Sequence, residues 1–448
     1  MFSAIIRYFK PDPHIARHDD NTIKEKYPKF RWAILESSFI GYALFYLVRN
    51  NVSPVAKEMQ DVLGYNYSMI GDILLVGSLA YGFGKFFMGA LSDRSNPRKF
   101  MAVFLALTAL CNFAFGAAQI YWVHLVLWGL NGLAQGAGWA PCARSIGHWY
   151  SLKERGTVFA VWNIAHNIGG GIAGIIAAKA TIHFGWEYAF YFPGAIALVG
   201  SIYLFTRLKD TPQSLGLPPI EEYKHDFSEN EYVPTHEREL STRELLIDNI
   251  FKNKWLWVFA SANFFVYIVR YSMLDWGPLY LRDVKGATIS DGGIAIFLIE
   301  FGGIPSILFF GWLSDKWDGR RGMVSFLCMV PILFAFMGLI YTPKGYLWLD
   351  MTLLCIIGFF VYPPVMLLGI AGLDLTSKKA VGAAAGFIGL FGYCGRAFQA
   401  KGSGWLIEHY KDSMGIEAAW SIVLHSIAGC ALMAILLLTL TWKIRPKA

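Results

Sequence analysis

Twelve apolar blocks, each about as long as a helix that crosses a bilayer, constrain this chain more than any other feature. Crossing about 30 Å of hydrocarbon takes roughly 20 apolar helical residues. Charged residues, Pro or Gly close each block. The blocks cover residues 32–52, 68–91, 100–118, 121–150, 158–182, 188–208, 255–281, 292–313, 323–341, 347–373, 381–407 and 418–442. They predict an all-α membrane protein with twelve transmembrane helices, since a helix satisfies its own backbone polar groups in lipid.

The composition argues against most soluble classes. Of the 448 residues, 55% are hydrophobic and 16% are charged, whereas a typical soluble domain has roughly 25% charged residues. The formal net charge is +7, but Lys and Arg lie in short loops and form no basic stripe, so we expect no nucleic-acid partner. The six cysteines lie singly in or beside apolar blocks, which predicts neither a disulfide framework nor a metal site.

The loops differ in positive charge. The basic loops share one side of the predicted topology with both termini, and that side is expected to be cytoplasmic. Their basic residues are Arg94, Arg98, Lys99, Lys153, Arg155, Lys316, Arg320, Arg321, Lys378 and Lys379. The first thirty residues lack an apolar core and a small-residue cleavage site, so no cleaved signal peptide is expected.

A polar stretch rich in Pro and charge separates the sixth and seventh blocks. The predicted organisation is an N-terminal segment (1–31), a six-helix bundle (32–208), a cytoplasmic linker (209–254), a second six-helix bundle (255–442) and a C-terminal tail (443–448). Within the linker, residues 241–249 have a start signal and an apolar spacing that favour a short surface helix.

The chain contains an internal repeat. The stretch Tyr46-Leu-Val-Arg49 recurs as Tyr267-Ile-Val-Arg270, at the first helix of each half. A second pair of matching stretches has nearly the same offset. Such matches predict parallel repeats related by an axis along the membrane normal, with a site at their interface near the midplane.

The second repeated element is Gly-x-x-x-Asp-Arg/Lys. It ends in Asp93-Arg94 after the second block and in Asp315-Lys316 after the eighth. The carboxylate would bind a neighbouring helix end and the cation would bridge to another helix, so we interpret both as conformational latches. A solvated turn is the alternative.

A Gly-x-x-x-Asp-Arg/Lys loop in both halves of a twelve-block chain resembles the major facilitator superfamily. More narrowly, the chain resembles the organophosphate:phosphate antiporters, and within them the bacterial glycerol-3-phosphate transporters, with hexose-phosphate features at 43–45 and 275–277. The stretches that carry this resemblance are 41–49, 92–98, 162–171, 210–223, 266–271, 275–276 and 378–393. The resemblance implies two pseudo-symmetric six-helix bundles. The helical spans favour an inner bacterial membrane, because the outer membrane uses barrels.

Two arginines inside apolar blocks need an explanation. A guanidinium in hydrocarbon costs several kcal/mol, from about 2.5 upward, and both Arg49 and Arg270 lie towards the outer ends of their blocks. Each could reach the interface, but the shared Tyr-x-x-Arg context favours a function. Guanidinium N–H groups match phosphate oxygens two at a time, which predicts a phosphate clamp with one arginine per half. The resemblance implies the same central site.

Tyrosines supply a candidate lining. Tyr42, Tyr46 and Arg49 have i, i+4, i+7 spacing and would share one helical face, as would Tyr81 and Lys85. Membrane tyrosines also serve as interface anchors or packing, so that alternative stays open. The resemblance implies that Lys85 is a cavity cation. The full candidate lining comprises Tyr42, Tyr46, Tyr81, Asn163, Tyr267, Tyr362 and Tyr393.

His166 follows Asn163 by three residues and precedes three glycines. Because histidine titrates near pH 6.5, its protonation would add a third donor to a bound phosphate. A packed neutral histidine is the alternative. The resemblance places His166 in the binding site.

Deep acidic groups and two departures from the family pattern complete the candidates. We expect Asp275 and Glu300 to pair with Lys or Arg and to exchange partners, unless each is a hydrated carboxylate at a helix end.

Asn50 stands where close relatives have lysine. Arg396, with Lys401 further along, stands where relatives have small residues. Arg396 either replaces the lost charge or reaches the outer interface.

The sequence therefore predicts a secondary antiporter that imports an organic phosphate ester in exchange for inorganic phosphate. Glycerol-3-phosphate is the favoured ester, and a hexose 6-phosphate such as glucose 6-phosphate is the alternative. A membrane sugar-phosphate sensor is a further alternative. No phosphate-binding loop of the Gly-x-x-x-x-Gly-Lys-Ser/Thr type is present, no enzyme activity or cofactor is expected, and we expect a monomer.

Overall fold

The computed structural model describes residues 7–92, 94–225, 250–376 and 381–445. Asp93 and the predicted surface helix over 241–249 lie outside these ranges. Within them the secondary structure is helical, without a strand. The long helices are α1 (Asp20–Leu47), α2 (Tyr67–Ser92), α3 (Pro97–Ala117), α4a (Tyr121–Gln135), α4b (Trp139–Trp149), α5 (Leu152–Phe184), α6 (Tyr188–Arg207), α7 (Lys254–Tyr280), α8 (Ile289–Lys316), α9 (Arg321–Tyr341), α10 (Leu347–Asp374), α11 (Val381–Met414) and α12 (Ile416–Thr439).

Most of these helices can cross a membrane by length and composition. In the described part of the chain, nine helices meet this criterion, and they are α2, α3, α5 to α10 and α12. The other three predicted spans, the first, fourth and eleventh, are also helical, but they are more polar or are interrupted. The first turns of α1 are charged, α4 is divided, and α11 carries Arg396, Gln399 and Lys401.

The first helix is displaced from its predicted bounds of 32–52. It begins at Asp20 because the side chain of Asp19 caps it, accepting a hydrogen bond from the backbone N–H of Thr22 at 3.0 Å. It ends at Leu47. The carbonyl oxygen of Val48, left without a helical partner there, accepts hydrogen bonds from the side-chain amides of Asn112 (3.1 Å) and Asn131 (3.2 Å). These side chains stabilise an early helix end.

The fourth block is two helices instead of the predicted single span over 121–150. The break falls at residues 136–138, between α4a and α4b. A Cβ atom on Gly136 would lie 2.3 Å from the carbonyl carbon of Gly84 in α2. Only glycine permits this close approach of the two backbones.

The helix contacts repeat from one half to the other. In the first half α1 packs on α5 and α6, α2 on α4a, and α3 on α4a and α6. In the second half α7 packs on α11 and α12, α8 on α10, and α9 on α10 and α12. Two helix pairs, α2 with α11 and α5 with α8, join the halves. In the repeat α2 corresponds to α8 and α5 corresponds to α11, so the two pairs are equivalent to each other. The predicted fold class of two pseudo-symmetric six-helix bundles is confirmed.

Glycines allow close packing between the halves. A Cβ atom on Gly293 of α8 would lie 2.7 Å from the carbonyl oxygen of Gly174 in α5, and one on Gly174 would meet Gly293 in return. One turn of α5 earlier, Gly170 faces the Glu300 side chain. Small residues let membrane helices approach without bulky side chains between them.

The end of the bundle opposite the termini, called here the outer end, is closed by contacts between the halves. Among the described residues, three ion pairs join the halves, and all lie at this end: Arg282 with Glu58 (2.6 Å), Lys57 with Asp283 (3.6 Å) and Lys401 with Asp72 (2.7 Å). The Ser53 hydroxyl also donates to the carbonyl oxygens of Leu274 and Asp275. The interior of the bundle is therefore sealed on this side.

At the opposite end, the inner end, the start of α1 and the residues before it pack against the segment after α6. The backbone N–H of Asp12 donates to the Asp210 carboxylate at 2.8 Å, and the ring of Tyr27 stacks on Tyr223 at 3.9 Å. Burial raises the pKa of Asp210. The first residues of the predicted linker therefore belong structurally to the first half.

Candidate functional site

Arg49 lies just beyond the end of α1, in the turn that the Val48 hydrogen bonds stabilise. Its Cζ atom is 3.6 Å from the centroid of the Tyr81 ring and 4.6 Å from that of Tyr46. The guanidinium is buried, and its Nη2 atom has no hydrogen-bond partner. The predicted helical face of Tyr42, Tyr46 and Arg49 is thus only partly helical, because α1 ends at Leu47.

Arg270 lies within the continuous helix α7. Its Cζ atom is 4.6 Å from the centroid of the Tyr362 ring and 4.9 Å from that of Tyr271. This guanidinium is also buried, and its Nε atom has no hydrogen-bond partner. In the described part of the chain, neither Arg49 nor Arg270 belongs to an ion pair. Two buried cations from opposite halves therefore have spare N–H groups.

Aromatic rings connect the two arginines along two routes. On one side the Tyr46 ring contacts His166 (5.4 Å between centroids), and His166 contacts Tyr362 (5.8 Å). On the other side the contacts run from Tyr81 to Tyr393 (4.8 Å), from Tyr393 to Tyr267 (5.4 Å) and from Tyr267 to Tyr271 (5.6 Å). The two arginines and these rings form one cluster at the interface of the halves.

His166 is held by its own helix. Its Nδ1 atom bonds to the carbonyl oxygen of Asn163, so Nδ1 carries the proton in the neutral ring. The Nε2 atom is then an acceptor, and it becomes a donor only when the imidazole binds a second proton. Donation to a bound anion from Nε2 thus requires the charged form.

Glu300 of α8 is 1% exposed and accepts hydrogen bonds from both halves. The Tyr362 hydroxyl donates to its Oε2 atom, and the Asn167 amide of α5 donates to the same atom at 3.1 Å and to the Glu300 carbonyl at 2.9 Å. The Oε1 atom has no hydrogen-bond partner. Glu300 is therefore a buried carboxylate at the junction of the halves and not a hydrated helix end.

Asp275 pairs with Arg396 across α7 and α11. The Arg396 Nη2 atom is 2.8 Å from Oδ1 and its Nε atom is 3.2 Å from Oδ2, a two-point contact. The Arg396 Cζ atom also lies 3.9 Å from the centroid of the Tyr271 ring. Both charged side chains are buried. Arg396 thus lies inside the second half and does not reach the outer interface.

Other candidates lie at the edge of this cluster. Lys85 is half-buried one turn beyond Tyr81, with its Nζ atom 5.3 Å from the centroid of the Trp139 ring. Tyr42 stacks on Trp162 at 4.6 Å and contacts Tyr46. Lys401 bonds at the outer end to Ser68 and Asp72. The partly buried Asn50 follows Arg49 in the turn.

The predicted latch of the second half lies at the inner end. Asp315 contacts Arg321 at 2.5 Å, at the start of the next helix, while Lys316 lies 5.0 Å from the ring of Trp312 on its own helix. Arg94 is exposed. In this structure the Asp315 carboxylate therefore binds a neighbouring helix end, whereas the Lys316 contact stays within α8.

Sequence reasoning missed several residues of the cluster. Tyr271 directly follows Arg270 and lies one turn after Tyr267, and Asn167 directly follows His166. Asn131 and Gln135 lie four residues apart inside an apolar block, a spacing that puts two polar side chains on one helical face. Within the described ranges, no group of three His, Cys, Asp or Glu side chains could hold a metal ion.

A family model described as Major Facilitator Superfamily matches residues 38–400. The chain belongs to this superfamily. The match spans both halves and includes the residues of the interface cluster.

Individual transport proteins are similar over nearly the whole length of the chain. The chain is 40% identical to the glycerol-3-phosphate transporter of Bacillus subtilis, with 99% of each chain covered. It is 40% identical to a probable hexose phosphate transport protein of Chlamydia pneumoniae, with 98% of each chain covered. A crystal structure of a bacterial homologue of the human lysosomal transporter Spinster matches with a TM-score of 0.71 at 14% identity, covering 92% of this chain and 95% of that one. The structural likeness shows a shared fold.

Proposed function

We propose that this protein is a secondary antiporter that exchanges an organic phosphate ester for inorganic phosphate. The observation that carries the proposal is the pair of buried guanidinium groups, Arg49 from one half and Arg270 from the other, each with an N–H group that lacks a partner. Glycerol-3-phosphate is the favoured ester and a hexose 6-phosphate the alternative. Similarity to transporters named for both substrates supports this class.

The chemistry of the site suits a phosphate group. Guanidinium presents paired N–H donors with the spacing of phosphate oxygens and stays charged at physiological pH. A phosphate monoester or inorganic phosphate carries the same anionic group, so one clamp would serve both exchanged substrates. The tyrosine hydroxyls around the clamp can donate to the remaining oxygens.

Exchange follows from the electrostatics of the empty and loaded site. Without an anion, two buried cations in opposite halves repel each other and oppose full closure of the site. A bound dianion attracts both halves, so its binding energy offsets the cost of closing. Only loaded carriers would then pass readily between the two access states, by rocking of one bundle against the other.

The outer-end ion pairs would limit this motion. Opening the site at that end would break the contacts of Arg282 with Glu58 and of Lys401 with Asp72. Under the proposal the protein is a monomer in a bacterial inner membrane with both termini cytoplasmic, and the outer end faces the periplasm. Asp315 and Lys316, with Asp93 and Arg94 in the first half, would act as latches at the cytoplasmic end.

His166 would contribute a hydrogen bond to phosphate in this scheme. Because its Nδ1 atom is engaged by Asn163, the ring would give phosphate a donor only when doubly protonated. His166→Ala should therefore weaken exchange if the ring contributes to the site, and exchange that this substitution leaves unchanged would remove the role.

Phosphate counterflow in proteoliposomes tests the proposal. Vesicles loaded with phosphate receive labelled phosphate outside, with glycerol-3-phosphate, glucose 6-phosphate or neutral glycerol as competitors. We expect uptake that one ester blocks, that glycerol leaves unchanged and that Arg270→Lys abolishes. Arg207→Lys is the matched control, because Arg207 is exposed and pairs with Glu36 at 2.9 Å.

The same vesicles distinguish a transporter from a sensor. Folded protein that binds an ester but exchanges neither phosphate nor ester would contradict the antiporter and favour the sensor. Exchange of ester without any use of phosphate would contradict the proposed counter-substrate alone.

A further inference from the structure

A second set of polar atoms without partners lies beside Arg49. A small cavity lies between α2 and α4a, and Arg396 of α11 in the other half also lines it. The polar and charged residues that line it are Arg49, Ser78, Tyr81, Asn131, Gln135 and Arg396. Arg49 of the proposed phosphate clamp lines this cavity, whereas Arg270 does not.

Four buried polar atoms along this cavity have no hydrogen-bond partner. They are both the Oε1 and Nε2 atoms of Gln135, the Oδ1 atom of Asn131 and the Nη2 atom of Arg49. Gln135 is only 3% exposed. Buried polar groups in native proteins are nearly always hydrogen-bonded, and each unsatisfied one is costly. A water molecule or a polar group of a ligand bound in the cavity would satisfy these atoms.

The local fold holds these amides in position. Gln135 is the last residue of α4a, immediately before the break at Gly136, whose contact with Gly84 fixes α4a against α2. Asn131 lies one turn earlier, and its Nδ2 atom donates to the Val48 carbonyl at 3.2 Å. Its Oδ1 atom is thereby left unpaired beside the cavity. Ser78 is already engaged with the Leu74 carbonyl.

We propose that Gln135, together with Asn131, binds a hydroxyl group on the organic part of the transported ester. A hydroxyl donates one hydrogen bond and accepts others, which matches an amide that offers both an oxygen and an N–H. The small cavity suits a single hydroxyl next to the phosphate and not a whole sugar ring. This inference rests on the proposed function and refines its substrate class: hydroxylated phosphate esters are preferred over simple alkyl phosphates.

Competition with labelled phosphate tests this preference. Glycerol-3-phosphate is compared with propyl phosphate, which has the same chain length but no hydroxyl, as inhibitors of phosphate exchange in vesicles. For the wild type we expect glycerol-3-phosphate to inhibit at a concentration about tenfold lower, the effect of one buried hydrogen bond. In Gln135→Leu the two esters should inhibit at nearly equal concentrations.

Two further variants keep this result interpretable. Gln399→Leu removes another buried amide, on α11 and outside this cavity, and should retain the wild-type preference. Gln135→Met, a less branched replacement, serves if Gln135→Leu does not give monodisperse protein.

Each remaining outcome contradicts the inference. Equal inhibition by the two esters in the wild type, or an unchanged preference in the Gln135 variants, would show that Gln135 does not bind a hydroxyl group of the ester. No phosphate exchange by the wild type would overturn the proposed function, and the inference with it.

Discussion

The two arginine-bearing helices are related by the internal repeat, yet they present their guanidinium groups differently. In the first half α1 stops at Leu47, and Arg49 lies in a turn whose carbonyl is bound by Asn112 and Asn131. In the second half α7 continues unbroken past Arg270 to Tyr280. Equivalent residues of the repeat are thus carried by a tethered turn and by a regular helix.

The charge around the two arginines differs as well. The second half contributes both deep carboxylates of the cluster: Asp275, which binds Arg396, and Glu300, which bonds to Tyr362 and Asn167. The described contacts of Arg49 in the first half are with the tyrosine rings of Tyr46 and Tyr81. Pseudo-symmetry therefore holds for helix packing and for the arginines, while the balance of charge is asymmetric.

The largest expected effect is a loss of thermal stability when the buried charge pair of the second half is broken. Asp275→Asn leaves the Arg396 charge buried without a counter-ion, and breaking a buried pair in this way costs about 3–5 kcal/mol. We expect a marked fall in the apparent melting temperature in detergent. The double variant Asp275→Leu with Arg396→Met should recover most of it.

The same substitution in a more exposed ion pair at the outer end shows how much of the effect depends on burial of the pair. Asp72→Asn breaks a half-exposed pair with Lys401, and such pairs are worth about 0–1 kcal/mol. If both aspartate variants melted at the wild-type temperature, the buried pair would not stabilise the second half.

The next effect concerns the tethered turn of the first half. Asn112→Leu removes the donors to the carbonyls of Val48 and Thr108 and the acceptor for Asn51. The Val48 carbonyl keeps its bond from Asn131 and the Asn51 amide keeps its bond to the Ala189 carbonyl, so the substitution should cost about 1–3 kcal/mol in total and displace Arg49. We expect lower thermal stability together with a higher phosphate concentration for half-maximal exchange.

Asn263→Leu in α7 is the control for Asn112→Leu. Asn263 is also buried and donates to the Ile388 carbonyl at 2.9 Å, but it does not tether a helix end beside Arg270. It should lower stability with a smaller effect on phosphate affinity. Equal effects of the two variants on affinity would contradict a special role for the turn.

The smallest effect is purely electrostatic. In Glu300→Gln an amide oxygen can keep both Oε2 hydrogen bonds, and the N–H₂ group takes the place of the unpaired Oε1 atom. Losing one negative charge near Arg270 should tighten phosphate binding about fivefold, equivalent to roughly 1 kcal/mol, and slow turnover because release is harder. Weaker phosphate binding measured by titration would argue that the Glu300 charge does not oppose the substrate.

The sequence anticipated what depends on pattern and repetition. The apolar blocks predicted the helices, and the repeated Tyr-x-x-Arg stretches identified Arg49 and Arg270 as a related pair. Both features are local, because a twenty-residue apolar run and an arginine within it are visible without knowing any neighbour.

Features that depend on neighbours from distant parts of the chain were not predictable. The early end of α1 depends on amides from Asn112 and Asn131, and the break in α4 depends on Gly84 of another helix. The position of Arg396 was open until its contact with Asp275, 121 residues away, was known. In the sequence Gln135 is only a polar residue within an apolar block, and the structure is needed to show that its side-chain amide has no hydrogen-bond partner.

The central claim is that one phosphate bridges Arg49 and Arg270, and a double-mutant cycle of phosphate binding tests it most directly. Phosphate affinity would be measured by calorimetric titration for the wild type, Arg49→Lys, Arg270→Lys and the double variant. If one phosphate joins both halves, each single substitution should weaken binding about 100-fold, and the double variant should be little weaker than either, because coupled residues are not additive. Fully additive losses, or one arginine whose replacement leaves affinity unchanged, would contradict a shared clamp.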